Sequence, residues 1–220
     1  MRHPLLEVLL EAAAGRPPAP DGSVELLPPP PGPVHAVLTF TAHSYVAAPV
    51  EPERLRAHLR PDYPGAATEP RFLAWLADEL GRRAGQIDMV LAASPLDGAP
   101  PLDLEPRDDL AAHPRVARAD RYRERLRVFA SRDGGGMLLL GRGLAGRCEV
   151  AFEVEPGHRG RGLGRALATA ARHLAPRDQP LFAQVTPGNV ASVRALLAAG
   201  YAPIASEVLL SGLHQTGRQP

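Results

Sequence analysis

The chain has 220 residues, of which 45% are hydrophobic and 22% charged, and its formal net charge is +1. This length allows one large domain or two small ones with a sizeable core. The balance of 25 basic and 24 acidic residues excludes a general polyanion-binding surface, so no nucleic-acid partner is expected. The single cysteine, Cys148, excludes an intramolecular disulfide framework and a cysteine-rich zinc site.

Membrane insertion and export are also excluded by the sequence. The chain has no run of about 18 apolar residues, which a transmembrane helix requires. Glu7 and Glu11 interrupt the apolar N-terminal residues, so these do not form an export signal. We therefore expect a cytoplasmic protein without a membrane partner. Lysine is absent, which excludes a Schiff-base lysine nucleophile.

The N-terminal half predicts helices and strands but contains no recognisable motif. A short helix over 4–14 precedes a proline-rich stretch, 16–33, which is typical of a stiff linker. The later elements are a strand over 34–47, helices over 52–59 and 70–83, a strand over 87–93 and a long loop over 94–115. Three polar residues near these strands are interpreted as structural rather than as an acceptor pocket: His43, Tyr45 and Asp88.

The C-terminal half gives a clearer pattern. Asp133–Gly136 is a strong hairpin turn. The predicted elements are strands over 126–131, 137–142 and 148–155, a helix over 163–174, a strand over 181–186, a helix over 189–199, and a last pair of strands over 201–204 and 207–210. The tail from residue 211 is expected to be loose. Together these elements indicate an α/β or α+β fold.

The segment Val154–Arg165, between a strand and a helix, has the features of a pyrophosphate-binding loop. A helix start exposes about four main-chain N–H groups at the positive end of its dipole, and anions bind there. The glycines let the backbone approach phosphate oxygens closely: Gly160, Gly162 and Gly164. The arginines add charged donors: Arg159, Arg161 and Arg165.

Other interpretations of this loop remain open. The simplest alternative is a glycine-rich connector with solvated arginines and no ligand. A P-loop needs a lysine, which the chain lacks. A Rossmann fingerprint fits poorly, because Leu167 stands where that motif needs a glycine or small residue.

Two motifs in this half resemble those of the GNAT acetyltransferase superfamily. Arg159-Gly-Arg-Gly-Leu-Gly164 is similar to its Arg/Gln-x-x-Gly-x-Gly/Ala signature. Asn189-x-x-Ser192, followed by Gly200-Tyr201, is similar to its second cofactor motif. The resemblance covers about residues 120–210. It implies a mixed, mostly antiparallel sheet flanked by helices, with an additional N-terminal α/β segment.

The resemblance also divides the chain. We expect a helix and linker at 1–33, an α/β segment of unknown role at 34–115 and a GNAT-like domain at 116–220. The extra strand over 87–93 favours a separate small domain at 34–94.

The resemblance implies acetyl-CoA, or another acyl-CoA, as co-substrate and no metal. The loop would hold the pyrophosphate mainly through main-chain N–H groups of Arg159, Gly160, Arg161, Gly162, Leu163, Gly164 and Arg165. The strand ending at Val154 would diverge from the strand over 181–186, and the pantetheine arm would lie in the gap and bond to Val154. Asn189 and Ser192 would reach the pantetheine or thioester; a helix cap is an equally good role for Asn189.

The resemblance further implies an N-acetyltransferase in which a small-molecule or peptide amine attacks the thioester directly, in a ternary complex. The candidate general bases share one strand face, with Glu149 preferred, Glu153 second and Glu155 beside them. A solvated polar face is the alternative for these glutamates. His158 is a weaker candidate, placed towards solvent.

The general acid is in doubt, because the tyrosine position of the family falls on Leu196. Ser192 is a possible substitute donor, and Tyr201 is interpreted as packing. Cys148 is interpreted as a buried, inert thiol. The missing tyrosine leaves a non-catalytic acyl-CoA-binding or sensor module as the alternative function, and an unrelated nucleotide-binding domain as a third.

Overall fold

Ten strands form one mixed sheet in the computed structural model, which describes residues 2–212 of the chain. The strands are β1 Val24–Leu27, β2 Val34–Phe40, β3 His43–Ala47, β4 Arg82–Ala93, β5 Leu104–Pro106, β6 Glu124–Ser131, β7 Gly136–Arg142, β8 Cys148–Val154, β9 Leu181–Val185 and β10 Ala202–Gly212. Their order across the sheet is β1-β3-β2-β10-β4-β9-β8-β7-β6-β5. Only β1 with β3 and β8 with β9 pair in parallel among these described strands.

Helices cover both faces of the sheet. They are α1 Pro4–Ala13, α2 Pro52–His58, α3 Pro70–Glu79, α4 Pro114–Asp120, α5 Leu163–Leu174 and α6 Val190–Ala198. Helices α2, α3, α5 and α6 pack on one face, and α1 and α4 pack on the other. The expected mixed, mostly antiparallel sheet flanked by helices is confirmed. Across residues 2–212, every helix is too short or too polar to cross a bilayer.

Burial on both faces makes β8 a core strand. Cys148 and Val150 pack beneath α5, and Ala151 packs near α4 on the opposite face. Glu149, on that opposite face, is only 3% exposed. The solvated polar face considered for the β8 glutamates is therefore wrong for Glu149.

Several predicted elements need correction. The strand expected over 34–47 is two antiparallel strands, because the chain turns at Ala42 with a φ of 50°. The helix expected over 70–83 ends at Glu79, and Gly81 (φ 59°) leads directly into β4. The last pair of strands is one strand, β10, interrupted by two register shifts.

Other corrections concern segments expected to lack regular structure. In the linker, Val24–Leu27 is strand β1, paired with β3. In the loop over 94–115, β5 pairs with β6, and α4 begins at Pro114. The loose tail from residue 211 lies outside the described residues, apart from Ser211 and Gly212, which belong to β10.

The two halves of the chain share the sheet. Strand β10, from the C-terminal half, pairs with β2 on one side and with β4 on the other. A separate small domain at 34–94 is therefore wrong, because its strands are joined through β10. The functional division at residues 33 and 115 stays a prediction.

Candidate active site

Strands β8 and β9 separate to form a fork. They pair over three positions only, Cys148↔Leu181, Glu149↔Phe182 and Val150↔Ala183. Beyond these pairs, β8 stays bonded to β7 as far as Val154, and β9 stays bonded to β4 as far as Val185. Each strand thus follows its outer neighbour, and main-chain groups along the inner edges of the fork are left without a strand partner. The family resemblance implied a divergence of these two strands.

The glycine-rich loop follows β8 at the open end of the fork and leads into α5. Gly160 and Gly162 adopt the left-handed region, with φ of 75° and 82°, and Gly162 is the N-cap residue of α5. Within residues 2–212, no side chain caps this helix start, so the N–H groups of its first turn remain available to a ligand. A Cβ added at Gly162 would meet no atom within 4 Å. The loop therefore offers open main-chain donors at the positive end of a helix dipole.

A cleft of about 780 Å³ lies beside the end of β8 and the glycine-rich loop. Its walls are the end of β8, the loop with the first turn of α5, helix α6 with its N-cap residue, and one residue of α4. They are lined by Arg115, Phe152, Glu153, Val154, His158, Arg159, Gly160, Gly162, Leu163, Gly164, Arg165, Asn189, Ala191, Ser192, Arg194, Ala195 and Ala198. Glu153 and Phe152 point to opposite faces of β8, so the cleft reaches both faces of the sheet.

The predicted loop residues do not all lie in the cleft. Arg161 is exposed and outside its lining. Arg159 lines it, and its Nε donates to the Val154 carbonyl at 3.1 Å. Gly164 lies against Ala195 and Phe152, and an added Cβ would be 3.5 and 3.6 Å from them, so a side chain there would make ordinary van der Waals contacts.

The start of α6 is fixed by the residues that the second motif predicted. Asn189 caps this helix, because its Oδ1 accepts a hydrogen bond from the Ser192 main-chain N–H at 3.2 Å. Both residues also line the cleft. The capping role of Asn189 is confirmed, and its role towards a ligand stays a prediction.

Glu149, the preferred base, is held in a buried ion network and does not line the cleft. The network consists of Arg123, Arg147, Glu149, Gln184 and Glu207. Glu149 accepts hydrogen bonds from Arg123 Nε and Arg147 Nε, each at 2.8 Å. Arg147 also binds Glu207 through both terminal nitrogens, at 2.6 and 2.8 Å.

The charge state of Glu149 follows from these contacts. Burial would raise its pKa, but the attraction of Arg147 and Arg123 outweighs burial and holds the pKa below its ordinary value. A carboxylate kept ionised by two arginines is a weak proton acceptor.

Glu153 occupies a more accessible position four residues along the same strand face. Its side chain is 35% exposed, against 4% for Glu149, and it lines the cleft. Its charged neighbour is Arg115, whose Nη1 lies 3.7 Å from Glu153 Oε2. The Nε of Arg115 is buried and lacks a hydrogen-bond partner among residues 2–212. Burial lowers the pKa of Arg115 and Glu153 opposes this effect. Arg115 was missed in the sequence, because it was placed at the end of the long loop over 94–115 and no helix was predicted over 114–120.

The position at which the family resemblance places the general acid carries no hydroxyl. Leu196 is 2% exposed and belongs to the core beneath α5 and α6. Tyr201 is also buried, and its hydroxyl donates to the Ala168 carbonyl at 3.1 Å. Burial raises the pKa of Tyr201. These contacts support the interpretation of Tyr201 as a packing residue.

Tyr201→Phe tests this interpretation. The variant loses one buried hydrogen bond, so we expect the free energy of unfolding to fall by about 1 kcal/mol. We expect turnover to remain at the wild-type value, because the hydroxyl lies in the core. Chemical denaturation and a steady-state assay measure the two quantities. A loss of turnover in the folded variant would contradict the packing role.

The remaining candidates lie apart from the cleft, with one exception. Cys148 is buried, and burial raises the pKa of its thiol, which fits the inert role predicted. His43 is buried against Asp21 and Ser23, at 2.9 and 3.0 Å from its Nδ1. The exception, His158, lines the cleft, but its ring lies so close to Gly135 that a Cβ there would meet it at 2.5 Å.

Residues 106–201 match the model of the acetyltransferase (GNAT) family. None of the curated proteins is similar enough in sequence to count as a match. Similar solved structures include a GCN5-related N-acetyltransferase from Kribbella flavida, with 22% identity, a TM-score of 0.42 and 64% coverage of each chain. A putative GNAT acetyltransferase from Novosphingobium aromaticivorans has 19% identity and a TM-score of 0.42, over 61% of this chain and 69% of that one.

A GNAT-family acetyltransferase from Colwellia psychrerythraea has 12% identity and a TM-score of 0.44, over 77% of this chain and 76% of that one. The chain spans a little under two thirds, 64%, of the Kribbella flavida protein.

Proposed function

Residues 106–201 match the model of the GNAT acetyltransferase family, and from this match we propose that the protein transfers an acetyl group from acetyl-CoA to a primary amine. The family itself implies acyl transfer from an acyl-CoA. The observation that carries the proposal is the meeting of an open strand fork with a helix start that no described side chain caps. The acceptor amine attacks directly, in a ternary complex.

The chain has the groups that CoA requires. Acetyl-CoA supplies the acetyl thioester, and this chain binds and orients it. The N–H groups of the first turn of α5, with Gly160 and Gly162, bind the pyrophosphate. The half-buried Phe152 and Val154 give the fork apolar contact for the pantetheine arm, and the inner edge of β8, which has no strand partner beyond Val150, bonds to the amides of the arm as a neighbouring strand would.

We assign the general base to Glu153 rather than to Glu149. Glu153 lines the cleft, and Glu149 is enclosed by Arg123 and Arg147. Glu153 lies on the face of β8 opposite to Phe152, so the amine approaches from the face that carries α4. It accepts the amine proton directly or through water.

Glu153→Gln is expected to lower turnover by roughly a hundredfold, because the amide cannot accept the proton. The dissociation constant for CoA should stay within about twofold of wild type, since the side chain is on the amine side of the fork. Turnover is measured by thiol release, and CoA binding by titration calorimetry.

Glu155→Gln is the matched control for this prediction. Glu155 is exposed, directly follows the last residue of β8 and lies outside the cleft lining. We expect it to retain wild-type turnover. Equal loss in both variants, or full activity of Glu153→Gln, would contradict the assignment.

Ser192 is our candidate for protonating the leaving thiolate. It lines the cleft from the first turn of α6. Leu196, one turn further along α6, presents no hydroxyl. The acceptor class stays that of small-molecule or peptide amines, and we keep the cytoplasmic location and the lack of a metal as predictions.

The buried Leu196 also favours a second candidate function, a non-catalytic acyl-CoA-binding module. The two functions share the cleft and differ in turnover. Thiol release from acetyl-CoA, measured over a panel of primary amines, separates them. Release with at least one amine supports the transferase. CoA binding without release over the whole panel supports the binding module.

A further inference from the structure

Gln184 occupies the point where β8 and β9 separate. The last main-chain pair of these strands is Val150↔Ala183, and Gln184 is the next residue of β9. Its Nε2 donates to Glu149 Oε1 at 3.3 Å and to Glu207 Oε1 at 2.5 Å. Glu149 is itself paired with Phe182, so the side chain ties the first residue of β9 beyond the pairing back to the paired part of β8.

The groups that Gln184 binds are themselves fixed. Arg147 is fully buried and holds Glu207 on β10 and Glu149 on β8 at the same time. The Leu144 main-chain N–H donates to Glu149 Oε1 at 3.2 Å. The buried ion network thus links β8, β9 and β10 by side chains at the closed end of the fork.

Stability alone does not account for such a network. Removing charged groups from water is costly, and buried ion pairs are often replaceable by apolar residues without loss of stability. The network holds two arginines and two glutamates, so its formal charges balance. Directional hydrogen bonds of this kind define relative positions more strictly than apolar contacts do.

We infer that Gln184 is a positioning residue that sets the opening of the fork and thereby the affinity for the pantetheine arm of CoA. The inference rests on the proposed function. Gln184 and Glu149 lie outside the cleft lining, so they act through the spacing of β8 and β9. The pyrophosphate loop follows the other end of β8. The spacing of β8 and β9 should therefore affect binding of the pyrophosphate less than binding of the pantetheine arm.

Gln184→Met tests the inference by keeping the side-chain length and removing both donors. Glu149 and Glu207 retain their arginine partners in this variant, so folding should be preserved. We expect the dissociation constant for CoA to rise by roughly tenfold or more, because the arm is misplaced. The constant for adenosine 3′-phosphate 5′-diphosphate, the part of CoA without the arm, should stay within about twofold.

Gln179→Met is the matched control at the opposite end of the same strand pair. Gln179 Oε1 accepts a hydrogen bond from the Cys148 main-chain N–H at 2.8 Å. Its loss should affect stability but leave CoA binding unchanged. Gln184→Asn, which keeps the amide and shortens the side chain, replaces Gln184→Met if that variant does not fold, and it should weaken CoA binding in the same selective way.

The outcomes separate this inference from the proposed function. Wild-type protein that binds no CoA at millimolar concentration would overturn both. If the wild type binds CoA, two results would overturn the positioning role alone. One is an unchanged CoA affinity in the Gln184 variant, and the other is an equal loss of affinity for CoA and for adenosine 3′-phosphate 5′-diphosphate.

Discussion

Replacing Gly162 by glutamate is expected to abolish CoA binding in a protein that still folds. Gly162 has a φ of 82°, where a side chain costs about 1–2 kcal/mol. An added Cβ finds open space in the cleft, so the carboxylate projects to where the pyrophosphate binds. Like charges placed together cost several kcal/mol, and we expect CoA affinity to fall by at least about a hundredfold. Titration calorimetry measures it.

Gly157→Glu provides the control in the same loop. Gly157 lies outside the cleft lining and the left-handed region, and a Cβ there also meets no atom within 4 Å. This variant adds the same charge without entering the cleft, so we expect CoA affinity close to wild type. If Gly162→Glu bound CoA as well as Gly157→Glu does, the loop would not be the pyrophosphate site.

Replacing Arg147 by alanine is expected to have the largest effect on stability. Arg147 is fully buried and neutralises Glu149 and Glu207. Its removal leaves two buried carboxylates short of a counter-charge, and breaking such a pair costs about 3–5 kcal/mol. Equilibrium denaturation measures the loss. Arg16→Ala, which removes an exposed partner of Glu11, should leave the denaturation midpoint near that of the wild type.

The same variant should change the dependence of stability on pH. In the wild type the pKa of Glu149 is lowered, so its contribution is present above the unfolded pKa and is lost as pH falls through the folded pKa. Without Arg147, burial of Glu149 is opposed mainly by Arg123, and the pKa of Glu149 rises. Its protonation then favours folding at low pH, and the deficit relative to wild type should shrink as pH falls from neutrality. A deficit independent of pH would contradict the role of Arg147 as counter-charge.

Local signals explain what could be predicted from the sequence. The bounds of α5 agree with the prediction, because Gly162 and Pro176 mark its ends and the apolar spacing is regular. The fork and the open loop were also expected at this place. The turn at Ala42 was missed. The residue with left-handed φ is an alanine, and turns of this kind are usually marked by glycine or asparagine.

The buried ion network could not be predicted, because its members are far apart in sequence. Arg147 and Glu207 are separated by 60 residues, and nothing local marks either as buried. The parity of β8 correctly placed Glu149 and Glu153 on one face. Which of them is enclosed depends on β10, and no local signal indicates that this strand reaches the middle of the sheet.

The central place of β10 also bears on how the protein is made. Strands β2 and β4 leave the ribosome long before the segment that pairs with both of them. Until that segment emerges, each presents an unpaired edge, and closing the contact requires a large loop. A nascent chain halted before residue 202 would therefore be prone to aggregate, and truncations there should yield insoluble product.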